Sequence, residues 1–99
     1  MNMRTVYRYP VPLSNIFTLK MPKGAEILTA GSQHGGDAFL FALVDPDASA
    51  EEVSFRLANT GEPISEDELK YVNTFQLRDG GLVYHLFEIV TPSPVAGVV

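Results

Sequence analysis

The sequence contains no cysteine and no long hydrophobic run. The lack of cysteine excludes disulfides, thiolate metal sites and cysteine nucleophiles. No stretch approaches the roughly 20 apolar residues that a membrane-spanning helix needs. The residues that follow Met1 also lack the apolar segment of a signal peptide. We therefore expect a cytoplasmic protein with no membrane partner.

Positive charge is also scarce. The 99 residues include seven Lys and Arg against twelve Asp and Glu, which gives a net charge of −5. A protein that binds nucleic acid normally concentrates positive charge on one face, because contacts with phosphates supply most of its affinity. The basic residues here are scattered, so we expect no DNA or RNA duplex as a partner. A local basic pocket for a small anion stays open.

The length is enough for one domain with one core. Apolar and polar residues alternate with a period of two, which predicts strands at 3–9, 14–21, 25–33, 38–44, 53–57, 71–78 and 82–90. Ser65 followed by Glu68 matches a capping box and predicts a short helical turn at 66–70. The expected fold is all-β, a meander that forms a single small antiparallel barrel or sandwich of about six to seven strands with at most one short helical turn.

The domain is predicted to span residues 1–90, and residues 91–99 form a C-terminal tail that contains Pro92 and Pro94. Residues 38–44 read Ala-Phe-Leu-Phe-Ala-Leu-Val and are apolar at every position. This pattern is typical of a central strand that is buried on both faces.

One histidine, His85, lies in the apolar stretch LVYHLFE that follows the turn sequence Asp79-Gly80-Gly81. A two-residue turn would place His85 beside Thr74 and Gln76, away from Phe75. A three-residue loop would instead pair His85 with Phe75 and turn it toward the core, because one residue of slip reverses the faces of a strand. We favour the three-residue loop, since it separates apolar from polar side chains better.

A histidine in the core must hydrogen-bond through its ring or lose about 1–3 kcal/mol. We favour a neutral, structural His85 bonded to a backbone carbonyl or to Asn73, whose replacement by alanine would cost about 2–4 kcal/mol. A ligand contact at the mouth of the barrel is the second interpretation. The third is a general base, for which the sequence offers no committed nucleophile. We expect no enzyme activity, no catalytic residue, no metal and no cofactor.

The stretch Gln33-His34-Gly35-Gly36-Asp37 offers backbone amides beside a second histidine. Such amides can form an anion-binding nest, although a hairpin turn that uses glycine for positive φ is the favoured interpretation. The carboxylates of Asp45, Asp47, Glu51 and Glu52 match no EF-hand or zinc motif.

Six stretches carry a resemblance to a known family: RYP at 8–10, MPKGAEIL at 21–28, ALVDP at 42–46, TGEPI at 60–64, TFQ at 74–76 and LVYHLFE at 82–88. Together they resemble an uncharacterised domain of unknown function in short phage and prophage proteins, over about residues 4–88. That family usually has Thr-Gly-His-Pro-Ile where this sequence has Glu62, so the second histidine of the pattern is missing here.

The resemblance implies a non-enzymatic phage or prophage accessory binding protein in the host cell cytoplasm. In this interpretation it is an anti-defence sponge that sequesters a nucleotide-type immune signalling molecule. The alternatives are a protein-binding inhibitor of a host defence or regulatory protein and a minor virion assembly component. We expect a homo-oligomer, because a small sheet leaves open edges. The predicted ligand-binding residues are Arg8, His34, Arg56, Thr60, Arg78, Tyr84 and His85.

Overall fold

The computed structural model describes residues 3–33, 36–77 and 81–90, and the all-β prediction is confirmed. The alternating sequence forms seven strands: β1 Thr5–Pro10, β2 Ile16–Pro22, β3 Glu26–Gln33, β4 Asp37–Val44, β5 Ala50–Asn59, β6 Leu69–Leu77 and β7 Leu82–Ile89. None of the described residues belongs to a helix that is long and apolar enough to cross a membrane.

The strands form two antiparallel sheets, sheet 1 with the order β1-β4-β3 and sheet 2 with the order β2-β5-β7-β6. The arrangement is sandwich-like, and the described strands do not close into a barrel. The meander prediction is wrong, because β1 and β2 lie in different sheets. Pro10 and Pro12 cannot donate to a ladder, and the chain between the two strands crosses from one sheet to the other with Val11 buried in the core.

A single apolar cluster joins both sheets. Phe55 and Leu40 are fully buried at its centre, and the rings of Phe17 and Phe55 stack with centroids 5.2 Å apart. Phe75, Leu77 and Leu86 complete the contribution of β6 and β7, as the alternation of those strands requires.

Strand β4 is central in sheet 1, as predicted, but it is buried on one face rather than two. Its small residues Ala38 and Ala42 point into the core together with Leu40 and Val44. Its larger residues point away from the core and stay partly exposed: Phe39, Phe41 and Leu43. Continuous apolarity therefore gave the correct strand and the wrong burial, because no other layer of described residues covers the second face.

Strands β3 and β6 are the edges at which the two sheets meet, and both are irregular there. The register shifts between Ile27 and Thr29 in β3 and between Tyr71 and Asn73 in β6. The side chain of Asn73 donates from Nδ2 to the carbonyl of Ala30 and, at 3.1 Å, to Oγ1 of Thr29. A side chain thus bridges the junction where the described backbones form no ladder.

Candidate functional site

His85 lies on the outer face of sheet 2, so the predicted position on the core face is wrong. Leu77 pairs with Leu82 and Thr74 pairs with His85. This register is the one that the alternative two-residue turn predicts, and it differs by one residue from the favoured register, which reverses both faces of β7. Asn73, the predicted partner of His85, instead binds β3.

His85 is the centre of a chain of four hydrogen-bonded side chains, here called the threonine–histidine chain. Its Nε2 lies 2.7 Å from Oγ1 of Thr60, and its Nδ1 lies 2.9 Å from Oγ1 of Thr74. The Thr74 hydroxyl lies 2.8 Å from the hydroxyl of Tyr71. A neutral imidazole donates through one nitrogen and accepts through the other, and the hydroxyls can match either tautomer. The threonine–histidine chain links the segment after β5 to strands β7 and β6.

The hydrogen bonds of the threonine–histidine chain link separate segments of the domain. A histidine that contacts a threonine hydroxyl lies close enough to remove its proton as a general base. The second ring nitrogen, however, meets the hydroxyl of Thr74 rather than an orienting carboxylate. Both ring nitrogens therefore have partners within the threonine–histidine chain, which are not the partners that the favoured interpretation gave His85.

Arg56 lies on the same outer face and is 5% exposed, beneath the segment that connects β5 with β6. Its five N–H groups have partners: Glu66 Oε1 (2.9 Å), Glu62 Oε2 (3.0 Å) and the carbonyls of Leu57 (2.8 Å), Pro63 (2.9 Å) and Asn15 (3.4 Å). Burial by itself lowers the pKa of Arg56, but the hydrogen bonds and charges of Glu62 and Glu66 outweigh it and raise that pKa above its ordinary value. The guanidinium has no donor left for a ligand.

This use of Glu66 explains why the predicted helical turn at 66–70 is wrong. The Glu66 carboxylate is directed to Arg56, and Leu69 and Lys70 already belong to β6. The neighbouring Glu62 accepts from the backbone amide of Asn59 at 3.0 Å as well as from Arg56. The Asn59 amide, followed by Arg56, lowers the pKa of Glu62.

The other predicted ligand-binding residues do not converge on this face. Tyr84 lies on the core side of β7, with its ring centroid 6.2 Å from that of Phe75. Arg8 lies in sheet 1, where it donates to Gln33 at 3.0 Å. His34 and Arg78 lie outside the described residues. The structure thus brings together Thr60 and His85, with Arg56 on the same face of the neighbouring strand.

The outer side of sheet 1 carries a surface that sequence reasoning missed. We call it the phenylalanine face, and it consists of Val6, Phe39, Phe41 and Leu43. Val6 is 50% exposed, and a Cβ added at Gly31, opposite Phe39, would meet no atom within 4 Å. The sequence feature that could have revealed this face is the placement of Ala38 and Ala42 among bulky residues within β4.

A shallow groove of about 270 Å³ opens between the start of β5 and the end of β7. Its lining includes the side chains of Glu51, Glu52 and Glu88. Three carboxylates disfavour a phosphate or another anion at this place, because like charges repel.

These strands define a class, an all-β domain of two antiparallel sheets. The chain belongs to the family described as a domain of unknown function (DUF7352), whose model matches residues 3–96. No curated protein and no solved structure matches the chain.

Proposed function

We propose that this domain is a non-enzymatic binding protein and that it binds a protein partner through the phenylalanine face. The observation that carries the proposal is the orientation of β4, whose core face carries both alanines with Leu40 and Val44 while Phe39, Phe41 and Leu43 face outward. A strand selected for stability alone would turn its phenylalanines rather than its alanines inward, where burial contributes about 25 cal/mol per Å². Outward aromatic residues grouped on one face are typical of protein interfaces.

The charges of the described residues support a protein over a nucleotide-type signalling molecule. Arg56 has no free donor, and the guanidinium of Arg8 bonds Gln33 and lies over Phe39. The groove is lined by glutamates. The nucleotide sponge stays a prediction of the family resemblance, and the choice of a host defence or regulatory protein as the partner rests on that resemblance alone.

A matched pair of charge variants tests the proposal. Phe41→Glu puts a carboxylate on the phenylalanine face, and Gln76→Glu puts one at an exposed position on the outer face of sheet 2. Each variant is immobilised, and proteins captured from lysate of the producing cell are identified by mass spectrometry. We expect one protein to be captured by the wild type and by Gln76→Glu but lost by Phe41→Glu. Equal capture by all three would contradict the proposal.

A thermal-shift screen with cyclic dinucleotides and ADP-ribose derivatives tests the competing function. A ligand at 100 times its Kd stabilises a fold by about 2.7 kcal/mol, which raises the Tm of a domain of this size by roughly 10 °C or more. We expect no such shift. A shift of that size would favour the sponge.

A further inference from the structure

The described strands have four sheet edges, and three of them show features that discourage pairing with another chain. The edges β3 and β6 contact each other, carry register shifts and are bridged by Asn73. The edge β2 has Lys20 within it. Bulges and lysine are common means of blocking an edge. Strand β1 has a regular register with β4 and contains Arg8 rather than a lysine, and it ends at a proline as β2 does.

The hydrogen-bonding groups on the free edge of β1 follow from its register. The amide of Val11 donates to the carbonyl of Ala38 at 2.9 Å. Inward and outward groups alternate along an antiparallel strand, so Thr5, Tyr7 and Tyr9 also bond β4. The backbones of Arg4, Val6 and Arg8 therefore point to the free edge. Pro10 occupies an outward position as well, where its missing N–H breaks no bond within the sheet.

The side chains leave this edge accessible. Val6 is 50% and Tyr7 is 40% exposed. Arg8, the charged residue in the middle of the strand, is turned inward across the sheet: its Cζ lies 4.5 Å from the centroid of the Phe39 ring and its Nη1 donates to Gln33 of β3. Its charge is thus held above β4 and β3 rather than beside the edge.

We propose that β1 pairs with β1 of a second copy of this chain, antiparallel about a twofold axis at Tyr7. In this register Val6 lies opposite Arg8 of the second copy, and each of these pairs exchanges backbone hydrogen bonds. Other registers use the same edge groups. A register centred on Val6 would place Arg4 directly opposite Arg8 of the second copy, one centred on Arg8 would place the two Arg8 residues opposite each other, and like charges in these positions are destabilising.

Charge also favours this edge over the rest of the surface. The chain has a net charge of −5, so two copies repel each other in general. Residues 1–25 contain no Asp or Glu, and the twelve acidic residues lie from Glu26 to Glu88. Contact through β1 thus keeps the carboxylates of both copies out of the interface. Two three-stranded sheets become one continuous sheet, and the two phenylalanine faces become neighbours on the same side.

The absence of cysteine makes disulfide trapping a clean test. At a twofold axis, Tyr7→Cys places two thiols in a non-hydrogen-bonded pair with Cα atoms about 4.5 Å apart, which a disulfide can span. We expect Tyr7→Cys to form a covalent dimer under mild oxidation. Val6→Cys and Arg8→Cys should each form no covalent dimer alone and should cross-link when mixed, because their Cα atoms then lie about 5.5 Å apart.

Thr18→Cys is the control, since Thr18 is exposed in the middle of the other free edge strand, β2. It should form no covalent dimer under the same oxidation. Sedimentation of the wild type should show a dimer whose fraction rises with concentration. A monomeric Tyr7→Cys would overturn the pairing, as would a Thr18→Cys dimer formed equally fast, and a dimer of Val6→Cys alone would overturn the register. The pairing does not depend on the proposed protein partner, because Phe41→Glu tests that partner separately.

Discussion

The outer faces of the two sheets differ in how their side chains are satisfied. On sheet 2 the polar groups bond one another: His85 contacts two threonines and Arg56 has five partners. Its outward Phe87 is covered by the edge of the Tyr71 ring, with centroids 5.8 Å apart. On sheet 1 Phe39, Phe41 and Leu43 point outward and stay partly exposed, with the Arg8 guanidinium over the Phe39 ring.

The comparison shows that exposure alone does not identify a binding surface. Histidine and arginine attract attention in a sequence because they carry chemistry, yet here their hydrogen bonds are used within the domain. Phenylalanine attracts none, because it is expected in the core. The informative feature is a large apolar side chain that lies outside the core when a smaller one on the same strand lies inside it.

The largest difference between the sheets should appear when phenylalanine is truncated. Phe55 is fully buried between the sheets, so Phe55→Ala should lower the free energy of unfolding by about 3–5 kcal/mol through loss of contacts and a cavity. Phe41→Ala should cost about 1–2 kcal/mol, because it leaves a surface dent rather than a cavity. Urea unfolding of both variants measures this. Equal losses would mean that Phe41 belongs to the core.

The two arginines, Arg56 on sheet 2 and Arg8 on sheet 1, should also differ in how much they stabilise the fold. Arg56→Ala removes the partner of Glu62 and Glu66 and the guanidinium donor of the Leu57 and Pro63 carbonyls. We expect a loss of about 3 kcal/mol in the free energy of unfolding. Arg8→Ala should cost less than about 1 kcal/mol, since it ends one exposed hydrogen bond and one contact with Phe39. Chemical denaturation measures both losses, and the reverse order would contradict this expectation.

His85→Ala should have a smaller effect than a core histidine would. Its ring is partly exposed, and the hydroxyls it leaves behind can bind water, so we expect about 1 kcal/mol. Thr60→Val should lose a similar amount, and the double variant should lose less than the sum because the two side chains share one bond. Fully additive losses in a double-mutant cycle would show that the hydrogen bond between Thr60 and His85 does not stabilise the fold.

The smallest expected effect is on the pH dependence of stability. Because the folded-state pKa of Glu62 is lowered, its contribution is present above the ordinary glutamate pKa and is lost as the pH falls through that range toward the folded value. Glu62→Gln should therefore flatten the acid side of the stability curve and leave the neutral side level. Thermal melts between about pH 3 and pH 7 measure it. An acid limb of unchanged steepness would rule out this role.

Sequence reasoning found the strands because a period of two requires only local information. Its errors arose wherever one residue changed a relationship between distant segments. A one-residue difference in the pairing of β6 with β7 turned His85 outward, and the register shift in β6 directed Asn73 to β3. The capping signal at Ser65 was overridden because Glu66 bonds the buried Arg56, a partner ten residues away.

The residues of the candidate site were likewise predicted only in part. Thr60 and His85 were both predicted as site residues and do meet, but Thr74 and Tyr71 lie among ordinary strand residues that carry no motif. The phenylalanine face was hidden because a continuous apolar strand reads the same whether a second layer covers it or not.

By itself, the sequence determined that this chain is an all-β domain, where its strands lie, that it has no thiol chemistry, and that its acidic residues are absent from the first quarter. Those properties are local or compositional. Only the tertiary structure decided which sheet each strand joins, which face of β4 meets the core, and that Arg56 and His85 are satisfied internally. Alternation shows which residues of a strand share a face. Which of the two faces meets the core depends on how well each packs against the opposite sheet, and this is a property of the assembled sheets.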